Sequence, residues 1–206
     1  MAVAACGLIA ACGTGGGSDD KRQGPGFSVA PTPSPVAQIL YVDRLEAALP
    51  RSIHFPRGMG DRSAHAWDLS NPAICQSEYW GDALCADAVA LGVSAVGDMH
   101  TESVLVRLIS FGDEATAKDH FRTWSTATDK PEGSLSVDGL ANYVLTPAGG
   151  WVGRGVVVRQ GAVIAKVEYS WAPGEEVPSQ LADVTRMVAE RIRQTQSGKN
   201  PTASMR

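Results

Sequence analysis

The sequence lacks clustered positive charge and long apolar runs. It carries a net charge of −4 and a pI near 5.5, and no run of lysine or arginine stands out. Nucleic-acid binding needs a basic surface that neutralises phosphates, so no nucleic-acid partner is expected. No stretch approaches the roughly 20 apolar residues of a transmembrane helix. At 206 residues, 44% of them hydrophobic and 19% charged, the chain can nevertheless build one packed domain, and wholesale disorder is excluded.

The sequence also lacks the local motifs of common catalytic sites. It contains no P-loop, and the segment Gly92–Gly97 has the wrong spacing for the nucleophile elbow of a serine hydrolase. The histidines are scattered, and His54, His65 and Asp68 could meet around a metal only if residues 54–68 fold as a hairpin. We therefore expect no catalytic residue, no metal and no cofactor. A secreted enzyme with an unrecognised site is the less favoured alternative.

What the sequence does contain is an apolar N-terminus that ends at a cysteine. Ile9-Ala10-Ala11-Cys12 is followed by a run of glycine, serine and aspartate. This pattern resembles the lipobox of bacterial lipoproteins, in which an aliphatic residue and two small residues precede the lipidated cysteine. The resemblance implies that residues 1–11 are the remnant of a signal peptide. It also implies that Cys12 carries palmitate-type lipid and anchors the protein at the outer face of the cell membrane.

Two features of this segment differ from a complete signal peptide. No lysine or arginine precedes the apolar stretch, which is only about ten residues long. We favour a translation start upstream of Met1, because Val3-Ala4-Ala5-Cys6 also resembles the middle of a signal segment. The alternative is an alanine-rich N-terminus that contains cysteines and has no signal function.

The remaining cysteines predict a disulfide. If Cys6 is removed with the signal and Cys12 carries lipid, Cys75 and Cys85 form an even pair outside the reducing cytoplasm. Nine residues separate them, a spacing that a disulfide closes easily. The loop-entropy treatment gives such a ring about 2.5–3 kcal/mol of stabilisation. The alternatives are two buried free thiols or, less favoured because no ligand set is complete, a zinc site.

Composition divides the chain into four parts. The signal remnant at 1–11 is followed by a Gly/Ser/Pro-rich stretch at 12–34 that has no apolar period and predicts a flexible tether. Periodic apolar residues then predict a single domain over 35–197. Residues 198–206 are expected to fray.

Hydrophobic periodicity within the domain predicts an α+β fold. In the last strand Val163, Ala165 and Val167 alternate with Ile164 and Lys166, so one face is expected to be buried and the other half-wet. We expect an antiparallel sheet with helices packed on one face. The predicted elements are helices at 35–49 (capped by Ser34), 82–90, 114–124 (capped by Asp113) and 178–197, strands at 104–111, 142–146, 154–159 and 162–171, and irregular chain or short strands at 51–74.

The tryptophans suggest a contact surface. Trp124 falls at the helical spacing of a core residue. Three others lie in loop-like segments bordered by glycine, where an indole either caps the core or contacts a ligand or partner. The candidate contact residues are Trp67, Trp80 and Trp151, with Tyr79 beside Trp80.

A second resemblance concerns the domain itself. The strand 104–111 that leads into a helix, the hairpin VVVRQGAVIAKVEY at 156–169 and the final amphipathic helix are similar to the extracellular sensor-type domain of actinobacterial lipoproteins. The same fold type occurs outside the membrane on the receptor kinase PknH, which has two disulfides where one is expected here. The resemblance covers residues 36–195 and implies an extracytoplasmic, non-enzymatic domain. Its expected partner is an unidentified small ligand or envelope protein, and the alternative is a structural or assembly lipoprotein.

Overall fold

The computed structural model describes residues 37–69, 74, 82–98, 100–124, 137–145, 148–174 and 180–205. Pro35–Arg206 make up one compact unit. In chain order its elements are α1 (Val42–Ala48), a 3₁₀ turn (Ser52–His54), β1 (Gly60–Asp68), α2 (Asp82–Asp87), β2 (Ala88–Gly97), β3 (Glu102–Phe111), α3 (Glu114–Trp124), β4 (Gly139–Leu145), a second 3₁₀ turn (Ala148–Gly150), β5 (Val152–Gln160), β6 (Val163–Trp171) and α4 (Gln180–Gln196).

All six strands form one antiparallel sheet, in the order β1-β2-β3-β6-β5-β4. The predicted α+β class with an antiparallel sheet is confirmed. The central strand β6 alternates as expected, with Val163, Ala165 and Val167 fully buried on one face. Within the described ranges, no helix has both the length and the apolar character needed to span a membrane.

The helices lie on both faces of the sheet, which corrects the expectation of one face. The larger core cluster joins α1 and α4 to one face, where Leu45 and Ile192 are fully buried against the odd-numbered residues of β6. A second cluster joins α3 to the opposite face, where Phe121 packs with Ile109 and Ile164. The helix α3 begins at the predicted cap, because the Thr116 amide donates to the Asp113 carboxylate at 2.8 Å.

The first helix is shorter than predicted. Residues 37–41 are not helical, and α1 begins only at Val42. The Gln38 amide instead donates to the Gln196 carbonyl at 3.0 Å, which ties this segment to the end of α4. The predicted cap Ser34 lies outside the described residues.

The predicted helix over 82–90 is wrong beyond Asp87. Ala88 already begins β2, which runs to Gly97 between β1 and β3. Alanine and glycine have low strand propensity, so the sequence AVALGVSAVG carries little strand signal of its own. Pairing on both sides makes it a strand. The same pairing converts residues 60–68, expected to be irregular or in short strands, into a nine-residue edge strand.

The C-terminal tail packs against the domain, contrary to the predicted fraying. The amide of Met205 donates to the His54 carbonyl at 2.8 Å. The Arg191 guanidinium donates to the Ala203 carbonyl at 3.1 Å. The side chains of Ala203 and Met205 are partly buried against the main core cluster. Gln194 of α4 also binds the tail, because its side-chain oxygen accepts from the amides of Thr202 and Ala203.

Candidate functional site

Two cationic side chains face each other at the centre of the sheet. Arg107 of β3 and Lys166 of β6 are directly opposite in the register. Both point to the face that α3 partly covers, because they alternate with residues that pack under α1 and α4. Arg107 is only 8% exposed and Lys166 is partly buried. Like charges directly opposite on neighbouring strands are destabilising, so this pairing needs an explanation.

One carboxylate lies beside the two cations. The Glu168 Oε1 atom is 2.5 Å from Nη1 of Arg107 and accepts a hydrogen bond from the Tyr143 hydroxyl at 2.8 Å. Burial, reinforced by the negative charge of Glu168, raises the pKa of Tyr143 well above its usual range. The phenol is therefore a neutral donor at physiological pH. Arg107 and Tyr143 thus both bind the same carboxylate oxygen of Glu168.

The Lys166 ammonium lies near two aromatic rings. Its Nζ atom is 5.6 Å from the centroid of the Trp124 ring and 5.5 Å from that of Tyr143. Such cation–π contacts partly compensate for lost hydration. No hydrogen bond or ion pair joins this ammonium to any residue in the described part of the chain. Burial lowers the pKa of Lys166; the negative charge of Glu168 opposes this shift, and the positive charge of Arg107 adds to it by a smaller amount.

The position of Tyr143 depends on a glycine. The Tyr143 ring lies flat against Gly155, its partner on β5, and leaves no room for a Cβ atom there. A glycine in this strand therefore lets the aromatic ring cross the neighbouring backbone. We refer to Arg107, Trp124, Tyr143, Lys166 and Glu168 as the sheet-face cluster.

Sequence reasoning missed the sheet-face cluster. Arg107 was visible as the one charged residue within the apolar run VLVRLISF, and this is the signal that could have marked the site. For Lys166 the alternation of the strand indicates only that its side chain lies on the partly exposed face of the sheet. Trp124 was expected in the core, whereas the structure leaves it partly buried beside the Lys166 ammonium.

The structure does not bring the predicted contact tryptophans together. Trp67 is half-buried within β1, edge-on to His65 with ring centroids 4.8 Å apart. The strand register aligns Trp67 with Arg159 of β5, which is four strands away across the sheet. Trp151 precedes Arg159 by eight residues along the chain. These spacings separate Trp67 from Trp151 by roughly 30 Å. Trp67 and Trp151 therefore lie at two separate positions on the sheet, and their role as contact residues stays a prediction.

Several predicted residues lie outside the described residues, namely Cys12, Cys75, Tyr79 and Trp80. Cys85 is described: it is buried in α2, packs in the cluster beneath α3, and is disulfide-bonded. Its pairing with Cys75 stays a prediction.

The histidines are not arranged around a metal. His54 ends the first 3₁₀ turn and accepts the Arg51 amide through Nδ1 at 2.8 Å, while His65 lies in β1 with Nδ1 3.1 Å from Glu46. Residues 54–68 do not fold as a hairpin. Across the described ranges, no three histidine, cysteine or carboxylate side chains converge as metal ligands.

Two clefts lie away from the sheet-face cluster. One of about 330 Å³ is lined by residues of α1, the first 3₁₀ turn and Arg191 of α4, and one of about 320 Å³ lies beside the end of α4 and the tail. Burial, followed by the positive charge of Arg191, lowers the pKa of His54 in the first cleft. The Arg191 guanidinium there is bound to main-chain carbonyls. We interpret this cleft as a structural feature, in which Arg191 connects α4 to the end of α1.

The fold of this chain is similar to that of a solved extracellular domain. The chain is similar to the extracellular domain of PknH from Mycobacterium tuberculosis, with a TM-score of 0.52 and 16% sequence identity over 80% of this chain and 100% of that chain. The two share a fold. The fold resemblance predicted from the sequence is thereby confirmed. At 16% sequence identity, no functional residue of that domain can be assigned to this chain. No family model matches the sequence, and no curated protein matches it.

Proposed function

We propose that this protein is a lipid-anchored, extracytoplasmic domain that recognises a ligand or partner without transforming it. The observation that carries the proposal is the sheet-face cluster, in which two cations oppose each other and, among the described residues, one carboxylate accompanies them. Functional sites commonly retain such locally unfavourable groups. The location is supported by the lipobox-like sequence that ends at Cys12 and by a fold shared with the extracellular domain of PknH.

The hydrogen bonds within the sheet-face cluster favour recognition of a ligand over acid–base catalysis. Glu168 already accepts from two donors, so it is poorly placed to remove a proton from a substrate. The raised pKa of Tyr143 keeps its phenol protonated, so it is no base at neutral pH. Lys166 remains as a positioned ammonium, which is a recognition element.

A structural or assembly role is the second candidate, favoured by one observation. Val144 of β4 and Val152 of β5 are 77% and 45% exposed, and they are diagonal neighbours on the face of α1 and α4, at the β4 edge of the sheet. An exposed apolar pair on an edge strand can contact another protein. Val144→Lys should weaken any such association and leave ligand recognition unchanged.

The anchor is tested by expression from a start that supplies a complete signal peptide. Wild type is expected in the membrane fraction, accessible to protease added outside intact cells, and labelled with palmitate. Cys12→Ala should lose the label and the membrane association, because a lipobox has a single acceptor cysteine. Cys6→Ala is the matched control and should behave as wild type. Labelled Cys12→Ala protein would overturn the assignment.

Recognition is tested separately by a thermal-shift screen of the purified whole chain against envelope extracts separated into small-molecule fractions. A bound ligand raises the melting temperature by mass action. We expect at least one active fraction, whose component is recovered unchanged by mass spectrometry. Recovery of a converted product would overturn the non-enzymatic part of the proposal. Fractions that leave the melting temperature unaltered throughout would overturn small-molecule recognition and favour the assembly role.

A further inference from the structure

Folding alone does not account for the cation at position 166. Lys166 is partly buried on a central strand and directly opposite Arg107. The neighbouring carboxylate, Glu168, forms its ion pair with Arg107 and accepts from Tyr143, in both cases through Oε1. A partly buried charge is unfavourable unless it is paired. A methionine at 166 would fill the same space and avoid the repulsion.

The ammonium is nevertheless held in a defined position. The Tyr143 ring is fixed by its close fit against Gly155 and by its hydrogen bond to Glu168. Trp124, whose ring also lies near the ammonium, belongs to the last turn of α3. A lysine ammonium has three hydrogen-bond donors. In the described part of the chain none of the three meets an acceptor.

We propose that the sheet-face cluster binds a small organic anion, whose acidic group pairs with the Lys166 ammonium and whose apolar part contacts Trp124 and Tyr143. This inference rests on the proposed recognition function and names its ligand class. Arg107 adds positive charge but is itself paired with Glu168, so Lys166 is the ion partner of the ligand. Two cations and one carboxylate leave the cluster one positive charge in excess, which an anion neutralises. The adjoining rings favour an anion that carries an apolar group over a bare inorganic ion.

The direct test observes the lysine itself. Reductive ¹³C-dimethylation of the whole chain labels all five lysines and keeps their charge. The Lys166 resonance is identified by its absence from Lys166→Met. Benzoate and phenyl phosphate are the anionic probes, and benzyl alcohol and benzylamine are the neutral and cationic controls. We expect the Lys166 resonance to shift saturably with one or both anions and with neither control; the stronger anion identifies the acid as a carboxylate or a phosphate.

Variants then assign the affinity to the cluster. Calorimetric titration should show that Lys166→Met weakens binding of the anionic probe by about tenfold or more, as expected for loss of a charged hydrogen-bond partner. Lys118→Met, on an exposed position of α3, is the matched control and should bind as wild type. Gly155→Ala, which displaces the Tyr143 ring, should weaken binding while Lys166 is retained. Dispersed NMR spectra verify that each variant is folded.

The outcomes separate this inference from the proposed function. If no anion shifts the Lys166 resonance at millimolar concentration, or if Lys166→Met binds the anion as wild type does, the anion site is overturned. The recognition proposal survives that result if an envelope fraction still raises the melting temperature of wild type and Lys166→Met alike. If benzyl alcohol binds as tightly as benzoate, the site is apolar and the role of the ammonium is overturned.

Discussion

Arg191 in α4 donates from its Nε atom to the main-chain oxygen of Ala48, 143 residues earlier in the chain, at 3.0 Å. Its two terminal nitrogens bind the carbonyls on either side of Ala48 and two carbonyls of the C-terminal tail. The last carbonyls of a helix have no partner within the helix, and α1 has no basic residue in its own last turn. Arg191 therefore completes the end of α1 and fastens the tail with one side chain. Burial lowers its pKa to about 10, which leaves it charged at neutral pH.

Arg191→Met is expected to lower the free energy of unfolding by about 3–4 kcal/mol, because it leaves several buried carbonyls without donors. Arg191→Lys should recover only part of this loss, since one ammonium cannot reach carbonyls on both segments. Urea unfolding at pH 7 measures both. The control is Arg193→Met, an exposed residue paired with Glu190 within the same helix, which should change stability by less than about 0.5 kcal/mol. Equal losses of unfolding free energy for Arg191→Met and Arg193→Met would show that the hydrogen bonds of Arg191 contribute no more to stability than an exposed ion pair does.

Lys166→Met is expected to stabilise the protein at pH 7, by roughly 0.5–1 kcal/mol. The pKa of Lys166 is lower in the folded protein than its usual value of 10.5, so the unfolded state binds more protons between the two values. The free energy of unfolding of wild type should therefore rise with pH in that interval. The gain in unfolding free energy of Lys166→Met over wild type should be largest below the folded pKa of Lys166 and should decrease as the pH approaches 10.5. Urea titrations at several pH values measure this; a destabilised Lys166→Met protein at pH 7 would contradict it.

Asp98 should make the turn between β2 and β3 sensitive to acid. Hydrogen bonds from the Thr101 hydroxyl and amide, and then from the amides of His100 and Glu102, hold the pKa of Asp98 well below its usual range. A carboxyl with a lowered folded pKa contributes stability above its unfolded pKa of 3.8 and loses it as the pH falls through the folded value. Asp98→Ala should therefore lower the urea midpoint most at neutral pH.

The gap between wild type and Asp98→Ala should narrow as the pH falls below 3.8. Asp98→Asn keeps one side-chain acceptor and should lie between the two proteins at neutral pH. A gap that is constant from neutral to strongly acidic pH would show that the carboxylate charge does not matter to this turn.

Cys85 should be found linked to Cys75. Peptide mapping of the exported protein without reductant is expected to show this pair. Reduction should lower the free energy of unfolding by about 2.5–3 kcal/mol, because the unfolded chain regains the entropy of the closed ring. Cys75→Ser should match the reduced wild type in stability. Alkylation of both thiols in folded, unreduced protein would refute the pairing.

The sequence predicted the elements whose pattern is local. The apolar run of β3, the Asp113 cap of α3 and the alternation in β6 each depend on near neighbours, and each is observed. The strand β2 could not be predicted, because its alanines and glycines become a strand only through their partners on both sides.

The candidate site could not be predicted from the sequence for a related reason. Arg107 and Lys166 were visible as charges within apolar strands, but their opposition depends on β3 being next to β6. Tyr143 reaches Glu168 only because Gly155 lies between them in the sheet. Strand order, which periodicity does not encode, assembles the cluster.

The strand order also divides the sheet into two meanders, β1-β2-β3 and β4-β5-β6, that meet only where β3 pairs with β6. Pairing within each meander is between neighbours in the chain, whereas the β3–β6 junction joins residues such as Arg107 and Glu168, which are 61 positions apart. Closing that long loop carries the larger entropic penalty and tends to come late in folding. Formation of the Arg107–Glu168 contact thus reports when the two halves of the molecule have joined.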